Sequence, residues 1–384
     1  MVNVYRIAAA QPFEGLRAPE EMPVWDLTLG QVGEWAIGKA GFSSADGVPV
    51  GPCLVLRERV VVRPEALKAA WKAGQRRGSS CAFQLGGEIG AFLETLPGGK
   101  AGPVLAYLHS EDDSALLDNL EQVRLDPDEK PFDLGLHRSP ISLHLSDRLC
   151  LPVDHWVDLL WANLLGLGPR VWGLALGRPA VLALFKLLWA AIRSLSFRHE
   201  KIGSKLNVLG SGARIHPSAI VEASVLGKGV SIGPGAVVRG CVLGEGAKVE
   251  ALALCEGLVV GAHGLVQRQG LMKYGVLGAN AAIGGATQLS VVGCGAELKR
   301  GAYGMDQNFS GPVRFFLEGS LVEAPFGLLG VCLGEESQLG AGVSLASGRV
   351  LSPGVTVVGQ AVTHPANLAP SVVKAKDGRL EPVE

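Results

Sequence analysis

The stretch VCLGEESQLGAGVSLASGRVLSPGVTV (331–357) decides the fold. In it Leu333, Leu339, Leu345, Leu351 and Val357 recur in four consecutive steps of six. A period of six fits neither the face of an α-helix nor the two-residue alternation of a half-buried strand. It fits a coil with three short strands per turn, each strand pointing one aliphatic residue inward. Gly follows the inward residue at Gly334 and Gly340, where the chain turns a corner and a positive φ is tolerated. Stacked coils of this kind bury an aliphatic column and pair their backbones in parallel ladders.

The same pattern extends towards the N-terminus. In VLGKGVSIGPGAVVRGCVLGEGAKV (225–249), Leu226, Ile232 and Val238 are six apart, a five-residue step leads to Leu243, and six more lead to Val249. Leu277, Ile283 and Leu289 repeat the spacing. The region 207–359 is dense in Gly and free of Trp. The expectation is a parallel β-helix of roughly seven coils, from about Ile215 to Val357.

Upstream, residues 1–150 mix apolar runs with helical stretches, which predicts an α/β domain. GPCLVLRERVVV (51–62) reads as one buried strand, and PEALKAAWKAGQRRG (64–78) as a helix opened by Pro64. Residues 151–206 read as a helical junction and 360–384 as a C-terminal tail.

The formal net charge of −1 gives no field that favours nucleic acid. Mean hydropathy is high at +0.28, yet no run reaches the ~18 apolar residues of a membrane span. The start MVNVYRIAAAQPF lacks the long apolar core of a secretory signal. Seven cysteines, an odd number without a CxxC pair, point to free thiols in a reducing, cytoplasmic compartment and to no metal site. In RPAVLALFKLLWAAIRSLSFRH (178–199), Lys186 and Arg193 are seven apart, so they share a helix face among Leu and Trp. Two readings stand: a linker helix covering the open end of the β-helix, or an interfacial helix giving peripheral membrane contact.

Three stretches carry a family resemblance. LPVDHWVDLLWANLL (151–165) is similar to a junction of the type Pro-Trp-Asp-Leu-Leu-x-Ala-Asn. VLGKGVSIGPGAVVRGCVLGEGAKV (225–249) resembles opening hexapeptide coils, and residues 316–357 resemble closing ones. Together they resemble the two-domain sugar-1-phosphate nucleotidyltransferase/acetyltransferase family, N-acetylglucosamine-1-phosphate uridylyltransferase-like. The match spans about 200 residues and is faint over the first 130. The resemblance implies a left-handed hand for the β-helix, a GT-A-like nucleotidyltransferase domain before it, a homotrimer, and acetyl-CoA or another acyl-CoA as donor to a small-molecule sugar substrate.

The chain departs from that family at both active sites. A phosphate loop would fall in IAAAQPFEGLRAPEEMP (7–23), where only Gly15 and Arg17 suggest it. The metal-binding Asp of the family is matched by Arg59, a cation that would repel Mg²⁺, so the N-terminal domain is expected to be degenerate and nucleotidyl transfer lost. In GLMKYGVLGANAAIGG (270–285) Tyr274 is kept, but the position of the family's general-base His is Leu271. Lys273 stands nearby. The family's Asn-x-Asp-Gly-like loop resembles NFSG (308–311), with Asn308 and Gly311 kept and Ser310 in place of the acid.

His263, on a turn between coils, is the remaining candidate base, against the reading of a solvent-facing turn residue. His216 reads as structural, and His364 as a residue beyond the last coil. The segment GAYGMDQNFSGPVRFF (301–316) breaks the period, and insertions in solenoids are loops that often bind ligands. Asp306, Asn308 and Arg314 there, with Lys273, are candidate substrate-binding residues; His263 and Tyr274 are candidate catalytic residues. Two function classes follow: an acyl-CoA-dependent transferase, or a non-catalytic scaffold or sugar-nucleotide-binding relative that kept the fold.

Overall fold

A computed structural model describes residues 2–8, 13–100, 104–110, 119–134, 141–176, 206–359, 372–376 and 379–382. The chain forms two compact units. One comprises Met1–Glu14 and Leu27–Pro169, the other Gly15–Asp26 and Arg170–Glu384. The segment 178–199 and His364 lie outside the described residues.

The first unit is α/β. Its six-stranded sheet has the spatial order Ser43–Ala45, Asn3–Ile7, Cys53–Arg57, Leu105–Leu108, Cys81–Leu85, Gln122–Leu125. Leu105–Leu108 runs antiparallel to both neighbours, and the other pairings are parallel. Helix Leu29–Ala40 starts in a Thr28/Gln31 capping box and stops at Gly41, φ 81°. The helix foreseen at 64–78 spans Pro64–Arg77 and ends at Gly78, φ 70°, as Pro at the first position and Gly past the last favour.

The run 51–62 is two strands rather than one. Cys53–Arg57 lies in the main sheet, whereas Val60–Val62 pairs antiparallel with Cys150–Pro152. Arg59, with φ 51°, makes the turn between them. Both segments are buried, and apolar but for Arg57; the charged run Arg57-Glu58-Arg59 between them was the sign of the break.

The junction stretch has a structural task. Helix Trp156–Leu176 is entered through Asp154 and His155. Asp154 pairs with Arg57 at 3.0 Å and with Arg59 at 3.5 Å. Asp158, fully buried, accepts the backbone N–H groups of Gly98 at 2.9 Å, Asp154 at 3.2 Å and His155 at 2.9 Å. Burial nonetheless pushes its carboxyl up to about 8.

The second unit contains the expected parallel β-helix, and its long parallel sheets fit the left-handed form. The first face stacks Leu209, Leu226, Leu243, Val260, Leu277, Val292, Leu333 and Leu351. The second stacks Ile215, Ile232, Val249, Val266, Ile283, Leu298, Leu339 and Val357. The third stacks Val221, Val238, Cys255, Met272, Thr287, Gly304 and Leu345. Leu333, Leu339, Leu351 and Val357 are buried in this column, with Leu345 packed against it.

The coil repeat from Leu209 to Leu277 is 17 residues, because the step from the third face to the first is five. The next coil is short: Leu277 stacks on Val292 after 15 residues. Leu289 therefore misses the column and Thr287 takes the inward place. Leu289 sits at the corner with φ 50°, buried. Thr287 fits because its hydroxyl pairs with Ser290 at 2.6 Å and lies 3.3 Å from the Gly304 carbonyl, so no buried polar group is left unpaired. Between Val292 and Leu333 the repeat grows to 41 residues, and the excess holds the hairpin Arg314–Leu317 with Ser320–Glu323.

Two further segments join this unit. Gly15–Asp26 straps along it: the Arg17 and Ala18 N–H groups donate to the buried Glu335 carboxylate at 2.8 and 2.9 Å. Met22 Sδ lies 3.9 Å from Cys294 Sγ, and Arg170 grips Asp26 through two bonds of 2.6 and 2.7 Å. Gly15 and Arg17 thus belong to the β-helix unit. The tail is also not featureless. Val372–Lys376 adds to the second face beside Thr356–Val358, and Arg379–Pro382 pairs back on it.

Candidate functional site

The corners of the prism organise its polar residues. Along the edge between third and first faces run Ala223, Gly240, Gly257, Tyr274 and Leu289, all with positive φ. Tyr274 stands at φ 50°, and its ring occupies the space above Gly257, where a Cβ would come within 2.6 Å of Cδ1. Burial and the nearby Glu256 carboxylate raise the Tyr274 phenol above its ordinary value. A neutral phenol is a hydrogen-bond donor rather than a base at neutral pH.

One residue before this corner, Glu222, Arg239, Glu256, Lys273 and Gln288 stack in register. Their charges alternate, and the ion pairs measure 2.9 Å (Arg239–Glu222), 3.3 Å (Arg239–Glu256) and 2.8 Å (Lys273–Glu256). Gln288 continues the ladder by donating to Asp306. Asp306 is buried and lies 3.4 Å from the Tyr303 hydroxyl.

The inserted loop projects from the same edge. It forms a cleft of about 320 Å³ lined by Asn308, Ser310, Gly311, Arg314, Ser347 and Arg349, among others. Asn308 is fixed at both ends: its Nδ2 donates to the Pro312 carbonyl at 2.9 Å, and its Oδ1 accepts from Ser347 at 2.7 Å. Arg349 donates to the Arg314 carbonyl at 3.1 Å and lies over the Phe316 ring, 5.5 Å from its centroid. Arg314 pairs with Glu323 at 3.4 Å on the surface.

Of the six candidates read from sequence, Lys273, Tyr274, Asp306, Asn308 and Arg314 lie along this one edge. His263 does not. It sits at the edge between first and second faces, φ 58°, with its ring over Gly246. Gly257 and His263 bound one face, six extended residues apart, or about 20 Å. His216 is tied into its own turn, 2.8 Å from Ser218 Oγ. Arg349 and Ser347 escaped the sequence reading. Arg349 is the only basic residue between Val331 and Val357, and that isolation was the available signal.

Among the described residues no group of three or more His, Cys, Asp or Glu could hold a metal ion, and no helix is long and apolar enough to cross a membrane. The cysteines are free.

No family model and no curated protein matches the chain. Among solved structures, the acetyltransferase domain of PglB from Neisseria gonorrhoeae is similar at 14% identity, over 78% of this chain and 98% of that one, with a TM-score of 0.21. The same domain in complex with acetyl coenzyme A is similar at 14% identity over the same shares, TM-score 0.18. The polysialic acid O-acetyltransferase OatWY is similar at 15% identity over 46% of this chain and 87% of that one, TM-score 0.19. Likenesses at such scores carry no weight for function, which rests on this chain's own residues.

Proposed function

We propose that the protein is an acyl-CoA-dependent transferase acting on a nucleotide sugar or sugar phosphate, with its site in the cleft under the inserted loop. The observation that carries this reading is the convergence of Asn308, Ser347, Arg314 and Arg349 on one recess. Two guanidiniums suit the phosphates of coenzyme A, and the exposed Phe316 ring offers an apolar surface. Coenzyme A would supply an activated thioester. Asn308, held by Ser347 and the Pro312 carbonyl, orients the acceptor, and the neutral Tyr274 phenol donates a hydrogen bond.

The base is His263 from a neighbouring copy in a homotrimer. A reason to expect assembly lies on the outer side of the third face, where Ile220, Val237, Leu254, Leu271 and Ala286 stack in a half-exposed apolar column.

The first unit is read as a GT-A-like domain that has lost nucleotidyl transfer. Its mixed sheet with one reversed strand supports the ancestry, and the Arg57–Asp154–Arg59 cluster in place of a metal-binding acid supports the loss. A second reading, a scaffold without catalysis, is favoured by the ladder itself: Lys273 and Asp306 are already engaged by Glu256 and Gln288.

Calorimetric titration of acetyl-CoA and longer acyl-CoA esters into the full chain separates the two. Binding that weakens about tenfold in Arg349→Ala supports the transferase, and transfer lost in His263→Ala supports the base. An absence of binding by every ester tested leaves the scaffold.

A further inference from the structure

A second recess lies at the edge between the second and third faces, and it has a clear origin in the sequence. At this corner other coils place a residue with positive φ: Gly235, Leu252, Gln269, then Gly301 and Gly342. The coil between Gln269 and Gly301 is the short one. Its corner is reduced to Gly284 and Gly285, between Ile283 on the second face and Ala286 on the third. The missing two residues leave a notch of about 320 Å³ with Arg268 and Gln269 on one side and Arg300, Gly301 and Tyr303 on the other.

Gly285 cannot be replaced without a backbone collision: a Cβ there would come 2.0 Å from the Ala302 carbonyl oxygen. At Gly284 a Cβ would meet the Arg300 backbone N at 3.0 Å and the end of the Gln267 side chain at 2.5 Å. Nothing from the short coil itself fills the opening.

The charge around it is unbalanced. Arg268 and Arg300 are exposed, and among the described residues neither guanidinium has an ion-pair partner. Two acids of these coils have other hydrogen-bond partners. Glu250 accepts the Arg268 backbone N–H at 2.8 Å, and Glu297 is held by Lys299 and by Gln267 at 3.2 Å. The arginines stand two coils apart, about 10 Å along the axis, a span over which flexible side chains can close on one extended anion. The Tyr303 ring, 42% exposed, borders the same opening.

We propose that this notch binds the phosphate groups of a phosphorylated ligand, with Arg268 and Arg300 as a two-sided clamp. Guanidinium forks match phosphate oxygens in charge and geometry. A diphosphate spans the two sides better than a single phosphate does. The site is on a different edge from the acyl-CoA cleft and does not depend on that assignment.

The test is calorimetric titration of inorganic pyrophosphate into the full chain, the Arg268→Glu/Arg300→Glu variant and the Arg268→Lys/Arg300→Lys variant. Expected are saturable binding to the parent, its loss in the Glu pair, and a partial loss of about tenfold in the Lys pair. Both arginines are exposed, so the unliganded melting temperatures should match. UDP and coenzyme A, each competed against pyrophosphate, identify the source of the phosphates. A nucleotide should bind more tightly than pyrophosphate, by an amount lost in Tyr303→Ala. Pyrophosphate binding that is absent, or unchanged in the Glu pair, would overturn the proposal.

Discussion

Lys273 Nζ lies 2.8 Å from Glu256 Oε2, and the same Glu256 reaches Arg239 at 3.3 Å on its other side. One carboxylate therefore separates two cations that stand two coils apart, about 5 Å per coil. Removing the cation at the end of the ladder costs one partly exposed pair, within about 1 kcal/mol. Removing Glu256 leaves Arg239 and Lys273 facing each other. Urea unfolding should show Glu256→Gln more destabilised than Lys273→Met, with the gap narrowing in high salt. Equal effects would mean the ladder is not coupled.

Gly257 should tolerate no side chain while Tyr274 is present. Its φ of 61° disfavours any Cβ, and the Tyr274 ring fills the space a methyl would need. Gly257→Ala is expected to cost about 1–3 kcal/mol. In the Tyr274→Ala background only the backbone part should remain. A double-mutant cycle on thermal unfolding measures the difference.

Glu335 should hold the strap 15–26 in place. Its buried carboxylate accepts two backbone N–H groups, from Arg17 and Ala18, and charged hydrogen bonds of this kind contribute about 1.5–3 kcal/mol each. Glu335→Ala is expected to expose Arg17 to trypsin at least about tenfold faster than in the parent. Mass spectrometry of the early fragments would show whether the first new cut falls there.

Asp158 should make stability fall as pH rises. Burial raises its carboxyl from 3.8 to about 8, so between those values the folded state holds a proton that the unfolded state has released. The contribution is full below the unfolded value and is lost as pH rises through the folded one, with a slope of at most about 1.4 kcal/mol per pH unit. Asp158→Asn removes that titration. Its melting temperature relative to the parent should therefore improve from about pH 5 to about pH 8. A constant difference would show that the three backbone donors keep Asp158 ionised throughout.

The thiols should be slow to react. Burial pushes Cys53 up to about 11 and Cys150 and Cys241 up to about 12, and it raises Cys81, Cys255, Cys294 and Cys332 as well. A thiol reagent at neutral pH should label the native chain far more slowly than the unfolded one. Of the two partly buried thiols, Cys150 and Cys294, Cys294 should be the first to react, because burial raises Cys150 to about 12; fast labelling of several sites would contradict the packing.

The sixfold spacing of Leu333 to Val357 sufficed to place the prism, because each inward position is set by its own coil and each corner by local φ. The same locality explains why Lys273, Tyr274 and the 301–316 loop could be picked out from spacing and kept motifs. Three features needed the folded chain. The break at Arg59 is fixed by which distant strand each half pairs with. The assignment of Gly15 and Arg17 to the β-helix rests on contacts more than 300 positions away in sequence. The shift from Leu289 to Thr287 follows from register with coils on either side, and that two-residue shortening is what opens the notch between Arg268 and Arg300. Local periodicity is written in the sequence of each coil, whereas which neighbour a corner meets is decided only when the coils stack.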